Sequence, residues 1–199
     1  MSLSLYAAAT VTALTMDEVK AHIRVDFDDD DALIGLYADA AASYAFGLHG
    51  WTGRALVNET YEQTFDCWPY NCPKRRNELR LGRATVQSIT SISYLDADGN
   101  SQTLAADQYR LLGGDPGLVV PAYGATWPSV LDTEEAVTVR YVAGFGASWN
   151  DVPQDLRLAV AQLAAHWYEN REPVVIGQAV NAIPDMYDRI FGKYKVWGL

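Results

Sequence analysis

Asp26, Asp28 and Asp30 alternate through an acidic run that also holds Asp29 and Asp31, which is the opening spacing of a calcium loop. The remainder of such a loop fails. Its sixth position is Asp31 where the sharp turn needs Gly, and its twelfth is Tyr37 where a bidentate Glu is needed. The run therefore reads as a solvated turn leading into a helix, whose positive end suits acidic side chains. Cys67 and Cys72, even with His22 and His49 elsewhere, lack the spacing and number of a structural zinc site, and are expected to be reduced thiols beside a packed turn at Trp68-Pro69-Tyr70-Asn71. His166 and Glu169 stand three apart on a predicted helix, but a di-metal site needs a second such helix and none is present. Gly144-Phe145-Gly146 sits where a dinucleotide-binding turn would, yet Trp149 takes the third glycine position and no βαβ unit surrounds it. No nucleophile elbow or phosphate loop occurs. No catalytic, cofactor or metal residue is assigned.

Lys74, Arg75, Arg76, Arg80 and Arg83 place five of the fifteen positive residues within ten positions. They form either a solvated strand end or a contact with an acidic neighbour, with DNA as a third choice. The chain as a whole carries a net charge of −10, which argues against a protein whose main task is to grip phosphates. At 199 residues, 49% hydrophobic and 12% aromatic, it is long enough for one sizeable core and is neither disordered nor fibrous. The apolar stretch Ala32 to Leu48 is interrupted by Asp39 and Ser43 and falls short of a bilayer span. The apolar start of the chain has no positive residue before Lys20, so it is read as mature sequence of a cytosolic protein.

The elements that would position these residues are legible in turn. Thr15 and Glu18 form a capping box, with Leu14 stapled to Val19, and the helix they start ends near Arg24. A longer helix follows the acidic turn, with Leu33, Ile34, Tyr37, Ala41, Tyr44, Ala45 and Leu48 at helical spacing and Gly50 as the expected stop. Strands are predicted around Glu59–Phe65, Glu78–Leu81, Val86–Leu95, Ser101–Leu104, Tyr109–Leu112 and Val137–Val142, with hairpin turns at Asp96–Asn100 and Gly113–Gly117. Pro153 opens a third helix carrying Leu156, Val160, Leu163, Ala164 and Trp167 on one face, and a last helix spans Asp185–Tyr194. The order implies an α+β fold: a helical bundle core from the N- and C-terminal segments with an inserted antiparallel β lobe. The expected division is residues 1–55 and 146–199 for the helical core and 56–145 for the lobe.

Leu14-Thr15-x-Asp17-Glu18-Val19-Lys20-x-His22-x-Arg24-Val25, Thr52-Gly53-Arg54-x-Leu56, Tyr94-Leu95-Asp96-Ala97-Asp98-Gly99, Pro121-Ala122-Tyr123-Gly124-x-x-Trp127-Pro128, Val139-Arg140-Tyr141-x-Ala143-Gly144-Phe145-Gly146 and His166-Trp167-Tyr168-Glu169-Asn170-Arg171-Glu172 occur in that order. Together they resemble the head-tail connector (adaptor) proteins of tailed bacteriophages, also found in prophages and gene transfer agents. The likeness runs from Leu14 to about Asp185. It implies a non-enzymatic structural protein of the virion neck, assembled in the bacterial cytoplasm as a ring of about a dozen copies. The ring would lie below the portal protein, with a stopper or tail-completion protein beneath it. DNA would pass through without specific binding, and neither a cofactor nor a membrane is implied. A closed ring needs two complementary faces, for which Asp28, Asp29 and Asp30 against Lys74, Arg75 and Arg76 are candidates. The tail with Lys195, Trp197 and Leu199 either follows a helix that closes the chain's own bundle or docks into the portal. Trp68, Trp127 and Trp197, beside Pro or Gly, are either interface anchors or buried residues. A competing reading is a soluble small-ligand-binding or enzymatic domain with a site in the β lobe.

Overall fold

The computed structural model describes residues 2–11, 14–69, 77–171 and 185–197. Helix α1 (Met16–Ile23) begins as its sequence requires: the Thr15 hydroxyl accepts from the Glu18 N–H at 3.3 Å, while Glu18 accepts from the Thr15 N–H at 3.2 Å. Leu14 and Val19 on either side of this cap are both buried. Burial opposes the charge of Glu18, yet hydrogen bonds from Thr15 and from Arg157 hold its carboxyl below the usual range. Helix α2 (Asp31–Phe46) ends at Gly47 and not at Gly50, whose N–H instead closes the next turn on the Gly47 carbonyl. Helices α3 (Gln154–Glu169) and α4 (Asp185–Tyr194) complete the set among the described residues.

Helix α3 lies against all three other helices. Its Leu156, Ala159, Val160 and Leu163 share one core with Ile34, Ala41 and Phe46 of α2, Val19 of α1 and Phe191 of α4. Alanines on the α2 and α3 faces let the two backbones approach closely, as ridges-into-grooves packing favours.

Among the described residues eight strands form two antiparallel sheets. The larger has the order β1 (Leu3–Ala7), β2 (Glu59–Phe65), β8 (Val137–Ala143), β4 (Val86–Leu95), β5 (Ser101–Thr103), and the smaller joins β3 (Leu79–Arg80), β7 (Leu118–Pro121) and β6 (Tyr109–Leu112). Along central β8, Val137, Val139, Tyr141 and Ala143 are buried while the residues between them are half-buried, the period-two pattern of a strand with one covered face. They join Tyr61, Trp68, Leu79, Ile92 and Trp127 in a second core. Two strands, β1 and β7, were not anticipated. Both are short; β7 (Leu-Val-Val-Pro) lacks apolar–polar alternation, while β1, largely exposed, brings the start of the chain onto the edge of the sheet beside β2.

Gly144, at the end of β8, marks where the two cores meet. Its φ is +151°, and a Cβ there would lie 2.5 Å from the Asn58 nitrogen and the Val57 carbonyl. Gly144→Ala is expected to cost about 2–3 kcal/mol, because both backbone strain and overlap oppose it. Thermal unfolding should then show a Tm lower by roughly 5–10 °C.

Candidate assembly surfaces

The segment Thr52–Arg54 ties the helices to the β lobe. The Thr52 hydroxyl donates to the Ala45 carbonyl of α2 at 2.7 Å, and the Thr52 carbonyl accepts from the Val196 N–H at 2.9 Å. Arg54, 8% exposed, donates through Nε to the Tyr194 carbonyl, through Nη1 to the Thr85 hydroxyl at 2.8 Å, and through Nη2 to Asp115 at 2.6 Å. Arg83, expected in a surface basic cluster, is instead 2% exposed. Its guanidinium donates to the carbonyls of Phe46 at 2.6 Å and Gly47 at 3.1 Å, and to that of Arg54. Orphan carbonyls at the negative end of α2 thus receive a cation, which is why this arginine turns inward.

The acidic turn is a clasp among three helices. Lys20 of α1 meets Asp28 and Asp31, each at 2.6 Å. Asp30 accepts from the Tyr168 hydroxyl at 2.5 Å and from Arg171 at 2.8 Å, both at the C-terminal end of α3. Two of the three candidate contact carboxylates are therefore engaged within the chain, and Asp29 is left exposed. The chain's own cations thus pair with Asp28, Asp30 and Asp31 of the acidic run. Hydrogen bonds from Tyr168, then Arg171, hold the Asp30 carboxyl below its ordinary 3.8. A carboxylate whose folded pKa is depressed contributes stability that is present above the unfolded value and is lost as pH falls through the folded one. Asp30→Asn is therefore expected to lose less stability than the parent between about pH 5 and pH 3, read by urea unfolding at both values.

Lys74, Arg75, Arg76 and Leu199 lie outside the described residues. The C-terminal segment divides into a fixed root and a free tip. Phe191 and Val196 are buried against the chain's own helices and Thr52, whereas Trp197 is 74% exposed. Between root and tip the Lys195 ammonium stands 4.7 Å from the Trp51 ring centre and 4.8 Å from that of Trp197, so one cation bridges two indoles.

Other sequence candidates have different fates. Trp68 and Trp127 stack at 4.4 Å inside the β core. Cys67 is disulfide-bonded, which corrects the expectation of a reduced thiol; Cys72 lies outside the described residues. That expectation rested on a count of two cysteines, too few for a disulfide framework, and on a cytosolic compartment. His166 faces Asn170 at 3.3 Å, and among the described residues no cluster of metal-ligating side chains occurs. No described helix is long and apolar enough to cross a membrane. The feature sequence reasoning missed is Tyr123, fully exposed at 101% on the turn after β7; only its place in Pro-Ala-Tyr-Gly could have pointed to it.

Residues 13–69 match the family described as Phage gp6-like head-tail connector protein. Among solved structures, a chain in the neck of an empty gene transfer agent particle, computed with C6 symmetry, is similar over 100% of this chain and 97% of its own. The identity is 27% and the TM-score 0.79. Chains from the virion of a native gene transfer agent particle and from the neck of a native particle computed with C12 symmetry match over the same shares at 27% identity, with TM-scores of 0.77 and 0.75. No curated protein matches. Residues 13–69 are thus similar to phage head-tail connectors, and the whole chain shares its α+β architecture with chains of the gene transfer agent neck.

Proposed function

We propose that the chain is a structural adaptor in the neck of a tailed phage or phage-like particle, one of about a dozen copies in a ring below the portal that extends the DNA channel toward the tail. The observation that carries this is the full-length likeness to chains in particle necks solved with cyclic symmetry. It works by assembly and carries out no chemical step. The net charge of −10 suits a channel that DNA must slide through without tight phosphate contacts. In this reading residues 1–55 and 146–199 supply the helical core and 56–145 the inserted lobe. Exposed Asp29, with Lys74, Arg75 and Arg76 on the neighbouring copy, sets register by complementary charge. A stopper or tail-completion protein takes the opposite face of the ring.

The portal contact falls to the C-terminal tip, with Lys195, Trp197 and Leu199 reaching the partner and Trp197 filling a partner pocket. Removing Lys195–Leu199 would also remove buried Val196, so the cleaner variant is Trp197→Ala. Its melting temperature should stay within about 2 °C of the parent, since exposed side chains contribute little to stability. Affinity for the portal should fall at least roughly tenfold, as for an aromatic anchor. Undiminished portal binding by Trp197→Ala removes the tip from the contact.

A further inference from the structure

Helix α2 is apolar on nearly every side. Of its sixteen residues only Asp31 and Asp39 are charged, and while Ile34, Ala38, Ala41 and Ala45 are buried, Leu36 and Tyr44 remain 63% and 50% exposed on the outer side. A helix without a polar face belongs inside something larger than this chain. Beside it lies a cleft of about 430 Å³, where apolar Ala9, Ala42, Phe46 and Val57 are joined by polar Ser43 and Glu59. Asp39 stands at this cleft, exposed and without a hydrogen bond among the described residues.

The chain also carries a shape that fits such a cleft. Tyr123 sits at the tip of a turn closed by the Ala125 N–H on the Ala122 carbonyl at 3.0 Å, with Gly124 at φ +79° in the position where a type II turn requires it. The turn is held on both flanks. The Ala122 N–H donates to the Gln108 carbonyl at 2.9 Å, and Trp127 is stacked on Trp68 in the β core. The phenol is therefore presented at full exposure by a rigid loop, so little ordering entropy remains to be lost on binding.

We propose that Tyr123 of each subunit inserts into the α2 cleft of the next, its ring covering the apolar floor and its hydroxyl donating to Asp39. The contact joins two different faces of one chain, which is the head-to-tail kind that closes a ring. A phenol on a carboxylate adds a charge-assisted hydrogen bond to the burial of the ring. The proposal rests on the ring reading above and names the surfaces that build it.

The test uses the full chain with its cognate portal, with ring formation followed by light scattering. The parent must first form the ring; if it does not, the ring reading itself fails. Given that ring, Tyr123→Ala should fold with an unchanged melting temperature and need at least tenfold more protein for half-maximal assembly. Tyr123→Phe, which keeps the ring and loses the bond to Asp39, should show a smaller rise. A double variant, Tyr123→Cys with Ser43→Cys in the cleft wall, should give a ladder of cross-linked multimers on oxidation of the assembled ring. Each single variant should give none. Normal assembly by Tyr123→Ala, or assembled double variants without a ladder, overturns the proposal.

Discussion

Arg83→Met is expected to lower stability by about 3–5 kcal/mol, the largest effect of any single substitution considered for this fold. Methionine keeps much of the length and apolar stem but leaves the Phe46, Gly47 and Arg54 carbonyls without their donor. Hydrogen bonds to a charged group contribute more than neutral ones, and a buried carbonyl left unpaired bears its full desolvation penalty. The guanidinium also stands 5.4 Å from the centre of the Tyr61 ring, so the substitution loosens the link between the end of α2 and the β core. Arg83→Lys should recover only part of the loss, because one ammonium cannot address carbonyls spread around a planar fork. Thermal melts of the three proteins should rank parent, lysine, methionine. Equal melting temperatures for parent and methionine variant would show that Arg83 bears no such load.

Arg54→Ala is expected to cost about 2–4 kcal/mol and to disturb assembly as well. Its three contacts run to the last turn of α4, to Thr85 and to Asp115. Losing them loosens the root of the C-terminal segment, which keeps the Val196 N–H on Thr52, the Tyr194 hydroxyl on Asp155 and the burial of Phe191. Hydrogen exchange should show faster exchange at Tyr194–Val196, and portal binding should weaken through a misplaced Trp197. Asp115→Asn is the comparison: its partner stays buried, but Asp115 itself is 42% exposed, so the change should be no more than about 1 kcal/mol. If Arg54→Ala leaves exchange in this segment unchanged, the junction does not position the tail.

Local signals were legible where the chemistry is local. The Thr15–Glu18 box, the period-two run of β8 and the bounds of β2, β4, β6 and α4 all follow from neighbours a few residues apart. Strand β1 depends on a partner supplied by distant sequence, residues 60–63, and β7 pairs with distant β3 as well as with β6, its neighbour across a short turn. Charge is the least legible property. Arg83 looked like one more cation in a basic run, and only the carbonyls at the end of α2, more than thirty residues away, explain its burial. Asp30 likewise looked free to meet another subunit, whereas Arg171, 141 residues on, takes it within the chain. The ordered motifs around Thr52–Arg54 and Pro121–Trp127 nonetheless fall at the tie between helices and sheets and at the exposed Tyr123 turn, so part of the candidate surfaces was present in the sequence before their geometry could be seen.

The neck assignment meets its most direct test in light scattering of the chain mixed with its cognate portal. The predicted result is a single large complex carrying about a dozen copies of the chain per portal ring. A chain that remains monomeric beside its portal, even at high concentration, contradicts it.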